Sequence, residues 1–378
     1  LPAKAFTSPL HEERSAAILG LALGVSFSVC FATGLVSHGL QHPPTWFHWP
    51  ARPVNLYRIT QGVHVLTGIA SIPLLLAKLW VVYPKLFEWP PVRGLVHALE
   101  RLSLAVLIAG ALFLLFTGTI NIAYYYTPMQ FFFPVAHFWA SWITIGALLV
   151  HIGAKLPITT RALARSFTGE HLAPVPAGGG GLSRRAFLAT TAGGAGVLVA
   201  TVAGETVRPL SALAVLAPRR LRRGPQHLPV NRSATDAGVR ATALDPGYRL
   251  TLGGRGTVPM TWTLAELQAM PQREAGLPIS CVEGWSASAS WRGVPLRHLL
   301  DLAGAPPGAS VRVESLESQG LYRASVVDAA HTGDRDTLLA LQLNGSALDI
   351  DHGFPVRLIA PNRPGVLQTK WVTRVVVL

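Results

Sequence analysis

One cysteine and four histidines are the residues of this 378-residue chain whose types and surroundings could do redox or metal chemistry. Cys281 stands in Ile279-Ser280-Cys281-Val282-Glu283-Gly284-Trp285-Ser286, near a strand end and before a glycine. Beside tryptophan and few cations, such a cysteine reads either as a small buried hydrophobe or as a single soft thiolate ligand to a metal. No His/Asn constellation supports a cysteine-protease arrangement. With two cysteines and no CxxC pair, the chain has neither a disulfide framework nor a zinc or dithiol motif.

The histidines are His64, His97, His137 and His151, each in or at the end of a long apolar stretch. An ionisable group inside a bilayer is costly, so function is the default reading there. His137 and His151 are 14 residues apart, which puts them about 21 Å apart on one helix and within about 40° of one face. Two cross-helix pairs follow, His64 with His137 towards one membrane face and His97 with His151 towards the other. Facing imidazoles are axial ligands for haem iron. A proton relay, or interfacial imidazoles snorkelling to water, are the alternatives. His38, His42 and His48 fit no metal template and are read as residues of the first connecting loop.

The elements that must position these groups follow from hydropathy. Half of the chain is hydrophobic, 13% is charged and the mean hydropathy is +0.37, which argues against a wholly soluble or disordered protein. A helix crossing a bilayer needs about 20 residues, and five stretches qualify: 16–36, 59–83, 99–123, 135–156 and a weaker Gly/Ala/Thr-rich one at 186–207. Residues 12–160 then form a four-helix membrane domain, 161–182 a cytoplasmic linker ending in Gly178–Gly181, and 183–208 a fifth, linking helix. From 225 to 378, short β-rich runs alternate with Gly/Pro turns and with helix patterns at 264–269 and 296–302, a soluble α+β domain large enough for its own core.

The net charge of +13 comes from 27 Arg and 5 Lys, and its distribution explains it better than a nucleic-acid partner does. Lys4, Arg14, Lys85, Arg93, Lys155, Arg161, Arg165, Arg184 and Arg185 share one side, against Arg52 and Arg58 on the other. The first side is read as cytoplasmic, which places the C-terminal domain outside the cytoplasmic membrane of a bacterium. Arg208, Arg219, Arg220, Arg222 and Arg223 run against this, but long translocated domains are largely exempt from the rule. Ser183-Arg184-Arg185-Ala186-Phe187-Leu188 looks like an internal twin-arginine export signal, a route associated with domains that fold around a cofactor before crossing.

The helix count and histidine placement over 12–160 resemble the four-helix dihaem cytochrome b family, which includes the membrane subunits of formate dehydrogenases and hydrogenases. This resemblance implies two b haems and electron exchange with membrane quinone, alongside other respiratory-chain subunits. From 228 to 378 the chain resembles the sulfite oxidase family of molybdenum enzymes, especially the bacterial branch with the periplasmic methionine sulfoxide reductase catalytic subunit. Three ordered segments carry it: Cys281–Ser286, Trp291-Arg292-Gly293-Val294-Pro295-Leu296, and Gly353-Phe354-Pro355-Val356-Arg357-Leu358 with Gly365–Trp371. The resemblance implies a sulfite oxidase-like molybdopterin domain with Cys281 as the catalytic molybdenum ligand. Arg357, His352 and the Gln368-Thr369-Lys370 loop offer cationic and amide donors suited to the pterin. Asn231-Arg232 resembles the family's early pterin-contacting segment. The family's immunoglobulin-like dimerisation domain has no counterpart before Leu378, and its substrate arginines find no match, so sulfite is not carried over as substrate.

The expectation is therefore a membrane-anchored molybdopterin oxidoreductase acting on a small molecule, passing single electrons through haem to or from quinone. The alternative is a haem-only membrane subunit whose outer domain is a cofactor-free binding or assembly module. A transporter reading lacks paired acidic residues or an inverted repeat.

Overall fold

The computed structural model describes residues 10–129, 131–164, 182–217, 219 and 223–378. Most of the expected linker, together with Lys4, Arg165, Arg220 and Arg222, lies outside the described residues. Five helices are long and apolar enough to cross a membrane: α1 (Glu13–Gln41), α2 (Leu56–Leu86), α3 (Leu95–Ile122), α4 (Phe133–Ala164) and α5 (Arg184–Ala203). Each of the five expected stretches is found, and the protein is a membrane protein by this criterion. α1, α2 and α4 overrun the apolar runs at both ends, because polar residues there continue the backbone hydrogen bonding, whereas α5 stops at Ala203, four residues short of the expected 207. His38 is thus in the last turn of α1 rather than in a loop, with its ring 4.7 Å from that of His42.

By internal contacts the chain divides into two compact units, Leu1–Thr33 with Val63–Ala203, and Gly34–Gly62 with Gly204–Leu378. In the first unit small and hydroxylated residues join the helices, as expected where lipid removes the hydrophobic drive for helix pairing. Ser71 Oγ donates to Ser26 Oγ (2.9 Å), which donates to the Thr67 carbonyl (3.0 Å), joining α1 to α2. Gly110 on α3 lies so close to Thr144 on α4 that a Cβ there would stand 2.2 Å from its Oγ1.

The second unit departs from the expected boundary of a membrane domain over 12–160. It takes in the end of α1, the α1–α2 connection and the first turns of α2. Polar contacts explain this. Tyr57 N–H donates to Asn362 Oδ1 (3.0 Å), and Asn362 Nδ2 donates to the Pro50 carbonyl (2.8 Å). Arg52 pairs with Asp334 (3.1 Å) and Asp336 (2.5 Å), and Gln61 Nε2 donates to the Val282 carbonyl (3.1 Å).

The rest of this unit is a mixed α+β fold of α6 (Arg240–Ala243), β1 (Arg249–Gly254), β2 (Met260–Thr263), α7 (Leu264–Ala269), β3 (Arg273–Ser280), β4 (Ser286–Pro295), α8 (Leu296–Leu302), β5 (Val311–Ser315), β6 (Ala324–Val327), α9 (Ala329–Thr332), β7 (Leu338–Leu343), β8 (Ser346–Ala347), β9 (Arg357–Ile359) and β10 (Val372–Val377). One sheet runs β2-β1-β10-β5-β6, with β1 and β10 parallel. The other runs β3-β4-β7-β8, with β9 also paired to β7. Alternating Leu250 and Leu252 on β1 and Val375 and Val377 on β10 point into one core. Leu296, Leu299 and Leu300 of α8 fill that core together with Leu339 and Leu358 from the second sheet. Thr263 and Glu266 form a capping box that starts α7.

Where β4 meets β7 the register shifts between Arg292 and Gly293, and a Cβ on Gly293 would stand 2.1 Å from the Leu339 carbonyl oxygen. Gly293→Ala must therefore push two central strands apart. It is expected to cost about 1–3 kcal/mol, read as a lower thermal midpoint of the soluble unit; an unchanged midpoint would contradict this packing.

Candidate active site

The β3–β4 hairpin is paired without slippage from Arg273↔Gly293 to Ser280↔Ser286, so Cys281 is the first residue of its five-residue tip. The tip closes on itself: Cys281 N–H donates to the Trp285 carbonyl (2.9 Å) and Gly284 N–H to the Cys281 carbonyl (3.1 Å). Gly284 adopts φ 102, a conformation that favours glycine at this turn. Asn231 locks the thiol in place. Its Nδ2 donates to Cys281 Sγ (2.7 Å), while its Oδ1 accepts from Trp285 Nε1 (3.1 Å).

Cys281 opens onto a cavity of about 170 Å³, and all eight residues expected to serve the cofactor in this domain line it: Cys281, Asn231, Arg232, His352, Arg357, Gln368, Thr369 and Lys370. Their side chains are not equally available. The Gln368 amide is spent on the Ala360 backbone, donating to its carbonyl (2.9 Å) and accepting from its N–H (2.8 Å). Thr369 Oγ1 shares a hydrogen bond with Ser325 Oγ (2.8 Å). These two shape the wall rather than offer side-chain donors to an occupant.

Two cationic side chains, Arg357 and Lys370, and the imidazole of His352 gather at the other wall. Gly353, at φ 110, lets its turn pass against the chain at Lys370, where a Cβ would stand 3.2 Å from atoms of both Arg357 and Lys370. Arg357 donates to the His352 carbonyl (3.0 Å) and stacks over the Trp291 ring (5.3 Å), leaving its buried Nε without a hydrogen-bond partner. Lys370 Nζ donates to the carbonyls of Arg232 (2.8 Å) and Asp351 (2.6 Å). The His352 ring bonds the Pro225 carbonyl (2.7 Å). Burial pulls Arg357 down to about 9; burial and neighbouring Arg357 pull Lys370 down to about 7 and His352 to about 4. An anionic occupant would reverse these penalties, so the wall fits a phosphate-bearing group.

Burial, with Glu283 nearby, pushes the Cys281 thiol up to about 12. As a free thiol it stays protonated and is a poor nucleophile, whereas a bound metal ion would hold it as thiolate. The donor set thus fits a single soft metal ligand beside an anion-binding wall.

Sequence reading missed Glu317 and Tyr322, which also line the cavity, and read Trp285 only as part of the cysteine's segment. Nothing in their spacing marks them, because Glu317 and Tyr322 sit on the loop between β5 and β6 and reach the site through the tertiary fold. It also missed Glu205, which is 2% exposed just beyond α5. Its carbonyl accepts from Ser286 N–H (3.1 Å), and the Thr206 hydroxyl donates to the Gly284 carbonyl (3.0 Å), so this segment braces the cysteine hairpin. Burial, then repulsion from Glu283, pushes Glu205 up to about 8.

In the helical unit, the His64 and His137 rings face each other, with centroids 6.2 Å apart and planes at 76°. His64 Nδ1–H donates to the Cys30 carbonyl (2.8 Å). Thr117 Oγ1, whose own proton goes to the Phe113 carbonyl (2.7 Å), accepts from His137 Nδ1–H (3.1 Å). Both Nε2 lone pairs are thereby left for a metal. His97 behaves differently from expectation. It lies in the first turn of α3, where its two ring nitrogens stand 3.1 Å from Arg93 N and 3.4 Å from Arg101 Nε, one of them accepting in either neutral tautomer, and among the described residues it makes no ring contact with His151. Among the described residues no group of three or more His, Cys, Asp or Glu could hold a metal ion, so the candidates are the lone thiolate and the imidazole pair.

Fold and site together define an oxidoreductase domain built to bind molybdopterin, carried on a chain with membrane helices. Residues 237–378 match the oxidoreductase molybdopterin binding domain family. YedZ1 of Azospira oryzae, named as a subunit of a protein-methionine-sulfoxide reductase, is 34% identical over 125 residues, 33% of this chain and 47% of that protein. Sulfite oxidase of Gallus gallus is 33% identical over 164 residues, 36% of each chain. Among solved structures, the sulfane dehydrogenase SoxCD of Paracoccus pantotrophus is 26% identical, covers 35% of this chain and 38% of that one, and has a TM-score of 0.33. The chain thus spans under half the length of the relatives it matches.

Because Glu205 binds its proton more tightly in the folded chain than in the unfolded one, its contribution to stability is full below about pH 4.5 and is lost as pH rises through about 8. Glu205→Gln is expected to flatten that loss, its thermal midpoint falling less than that of the wild type between about pH 5 and about pH 8. Parallel curves would contradict the buried carboxyl.

Proposed function

We propose that this protein is a membrane-anchored molybdopterin-dependent oxidoreductase that exchanges electrons between a molybdenum centre on Cys281 and the quinone pool through b-type haem. The observation that carries the reading is the Cys281 pocket, with its fixed thiol on one side and its under-compensated cations on the other. Bound there, molybdenum would supply two-electron oxygen-atom chemistry that none of these side chains can perform alone. The protein's part is positional. Asn231 holds Sγ in one rotamer and stabilises its negative charge; Trp285 fixes Asn231 in turn. Arg357, Lys370 and His352 would bind the anionic end of the pterin. Tyr322, raised by burial, keeps its phenol proton and can donate it in a hydrogen bond to a substrate oxygen.

Support for haem comes from the His64–His137 pair. The two rings stand 6.2 Å apart, centroid to centroid, and as a pair would hold a haem iron. Both rings are oriented through Nδ1 by a carbonyl or hydroxyl, the usual outer-shell support of a ligating histidine. His151 remains as an imidazole for a second haem, without His97 as its mate. Lys and Arg asymmetry and the Ser183–Leu188 segment support an exported, extracytoplasmic molybdenum domain. One curated relative is named for reduction of a sulfoxide and the other for oxidation of sulfite, and an oxidised-sulfur compound is the substrate class we adopt.

Paired variants of the purified full chain test the reading. Cys281→Ser is expected to abolish turnover while leaving the reduced-minus-oxidised haem spectrum intact. His137→Ala is expected to remove the haem contribution of its pair while leaving molybdenum content unchanged. Retained turnover in the first variant, or an unchanged spectrum in the second, would contradict the corresponding half.

A further inference from the structure

The end of α1 carries donor groups that neither the cysteine pocket nor the His64–His137 pair uses. His38-Gly39-Leu40-Gln41-His42 lies beyond the apolar run 16–36. As residues of a loop, these histidines match no metal template. The structure puts them on the helical repeat instead. His42 N–H donates to the His38 carbonyl (2.8 Å), so the two are i and i+4 residues of one helix face. Their rings stand 4.7 Å apart with planes at 44°. Two histidines at i and i+4 on one face form a chelate for a transition-metal ion.

Local structure fixes this end of the helix. Pro43 has no N–H to give the Gly39 carbonyl, so the helix stops at His42. Trp49 Nε1 donates to that carbonyl instead (2.8 Å), and a Cβ on Gly39 would stand 3.1 Å from the indole. Phe47 meets Trp49 edge to face at 5.0 Å. The connection thus folds back on the last turn of α1 and holds it, while His42 stays exposed and His38 half-buried.

Donor chemistry narrows the ion. Residues 34–62 contain no Asp or Glu. Mg2+ and Ca2+ take oxygen ligands and find no carboxylate in this segment. Imidazole suits copper, nickel and zinc, and among these the Irving–Williams order favours Cu2+. A neutral imidazole keeps one acceptor nitrogen in either tautomer, so each ring can supply one ligand whatever its other nitrogen bonds. His48 does not join the pair: among the described residues no three His, Cys, Asp or Glu form a group that could hold a metal ion. The remaining coordination positions are open to water.

We propose that His38 and His42 form a bidentate site for a divalent ion of the copper, nickel or zinc type, separate from the molybdenum and haem chemistry above. A bound ion would clip the last turn of α1 to the residue that follows it, in the helix end that belongs to the same compact unit as Cys281.

The test uses untagged full-length protein in detergent, stripped of loosely held metal with a chelator, and Cu2+ as the probe followed by calorimetry. The wild type is expected to bind Cu2+ more tightly than Zn2+ or Ni2+ and to leave Mg2+ unbound. His38→Ala and His42→Ala are each expected to weaken Cu2+ binding about a hundredfold, because the second ligand on a fixed helix face acts intramolecularly. His48→Ala is expected to leave the affinity unchanged. Electron paramagnetic resonance of the bound Cu2+ in the wild type should show two imidazole nitrogens, a readout that needs no variant to fold. Unchanged affinity in His38→Ala or His42→Ala, an equal loss in His48→Ala, or a signal with a single imidazole would overturn the inference.

Discussion

A buried thiol that water cannot ionise is the constraint around which the soluble unit is arranged. Cys281 is 5% exposed, so its negative charge is tolerable only against a metal ion and the Asn231 amide. Everything near it restricts motion. The uninterrupted β3–β4 ladder sets the hairpin tip, Gly284 turns it, and Trp285 and Asn231 fix the sulfur. The opposite wall is the complement, a cluster of cations whose own burial is costly unless an anion joins them. The thiol and the cation-bearing wall face each other across one cavity.

The second organising feature is the recruitment of the α1–α2 connection into the soluble unit. Asn362 takes the backbone on both sides of the cis-linked Arg52-Pro53 region, Arg52 bridges two aspartates, and Gln61 caps the carbonyl next to Cys281. The α1–α2 connection, with the helix ends beside it, is thereby a structural part of the unit that carries Cys281. Glu205 and Thr206, just past α5, add a further brace to the same hairpin tip.

Much of this was legible in the sequence, for reasons that differ by element. Apolar runs longer than a bilayer is thick announce helices, and α7 and α8 appear at the expected 264–269 and 296–302, α7 behind its Thr263–Glu266 capping box and α8 on the helical spacing of Leu296, Leu299 and Leu300. Cys281 and the Gly353–Trp371 run were visible because several ordered segments carried one resemblance. Glu317, Tyr322, Glu205 and Asn362 were not, since each acquires its role only through partners distant in the chain. His97 shows the converse: its position suggested a ligand, but its ring is spent on neighbours four residues away on either side. His38 reads as a loop residue in sequence because polar end residues conceal how far a helix continues.

The central claim is that one chain carries a molybdenum site and an imidazole-held haem. Elemental analysis of detergent-purified protein for molybdenum and iron, with a reduced-minus-oxidised spectrum on the same sample, tests it most directly. The account predicts about one molybdenum per chain together with at least one b-type haem. Iron and haem without molybdenum, from a host able to make the cofactor, would contradict it.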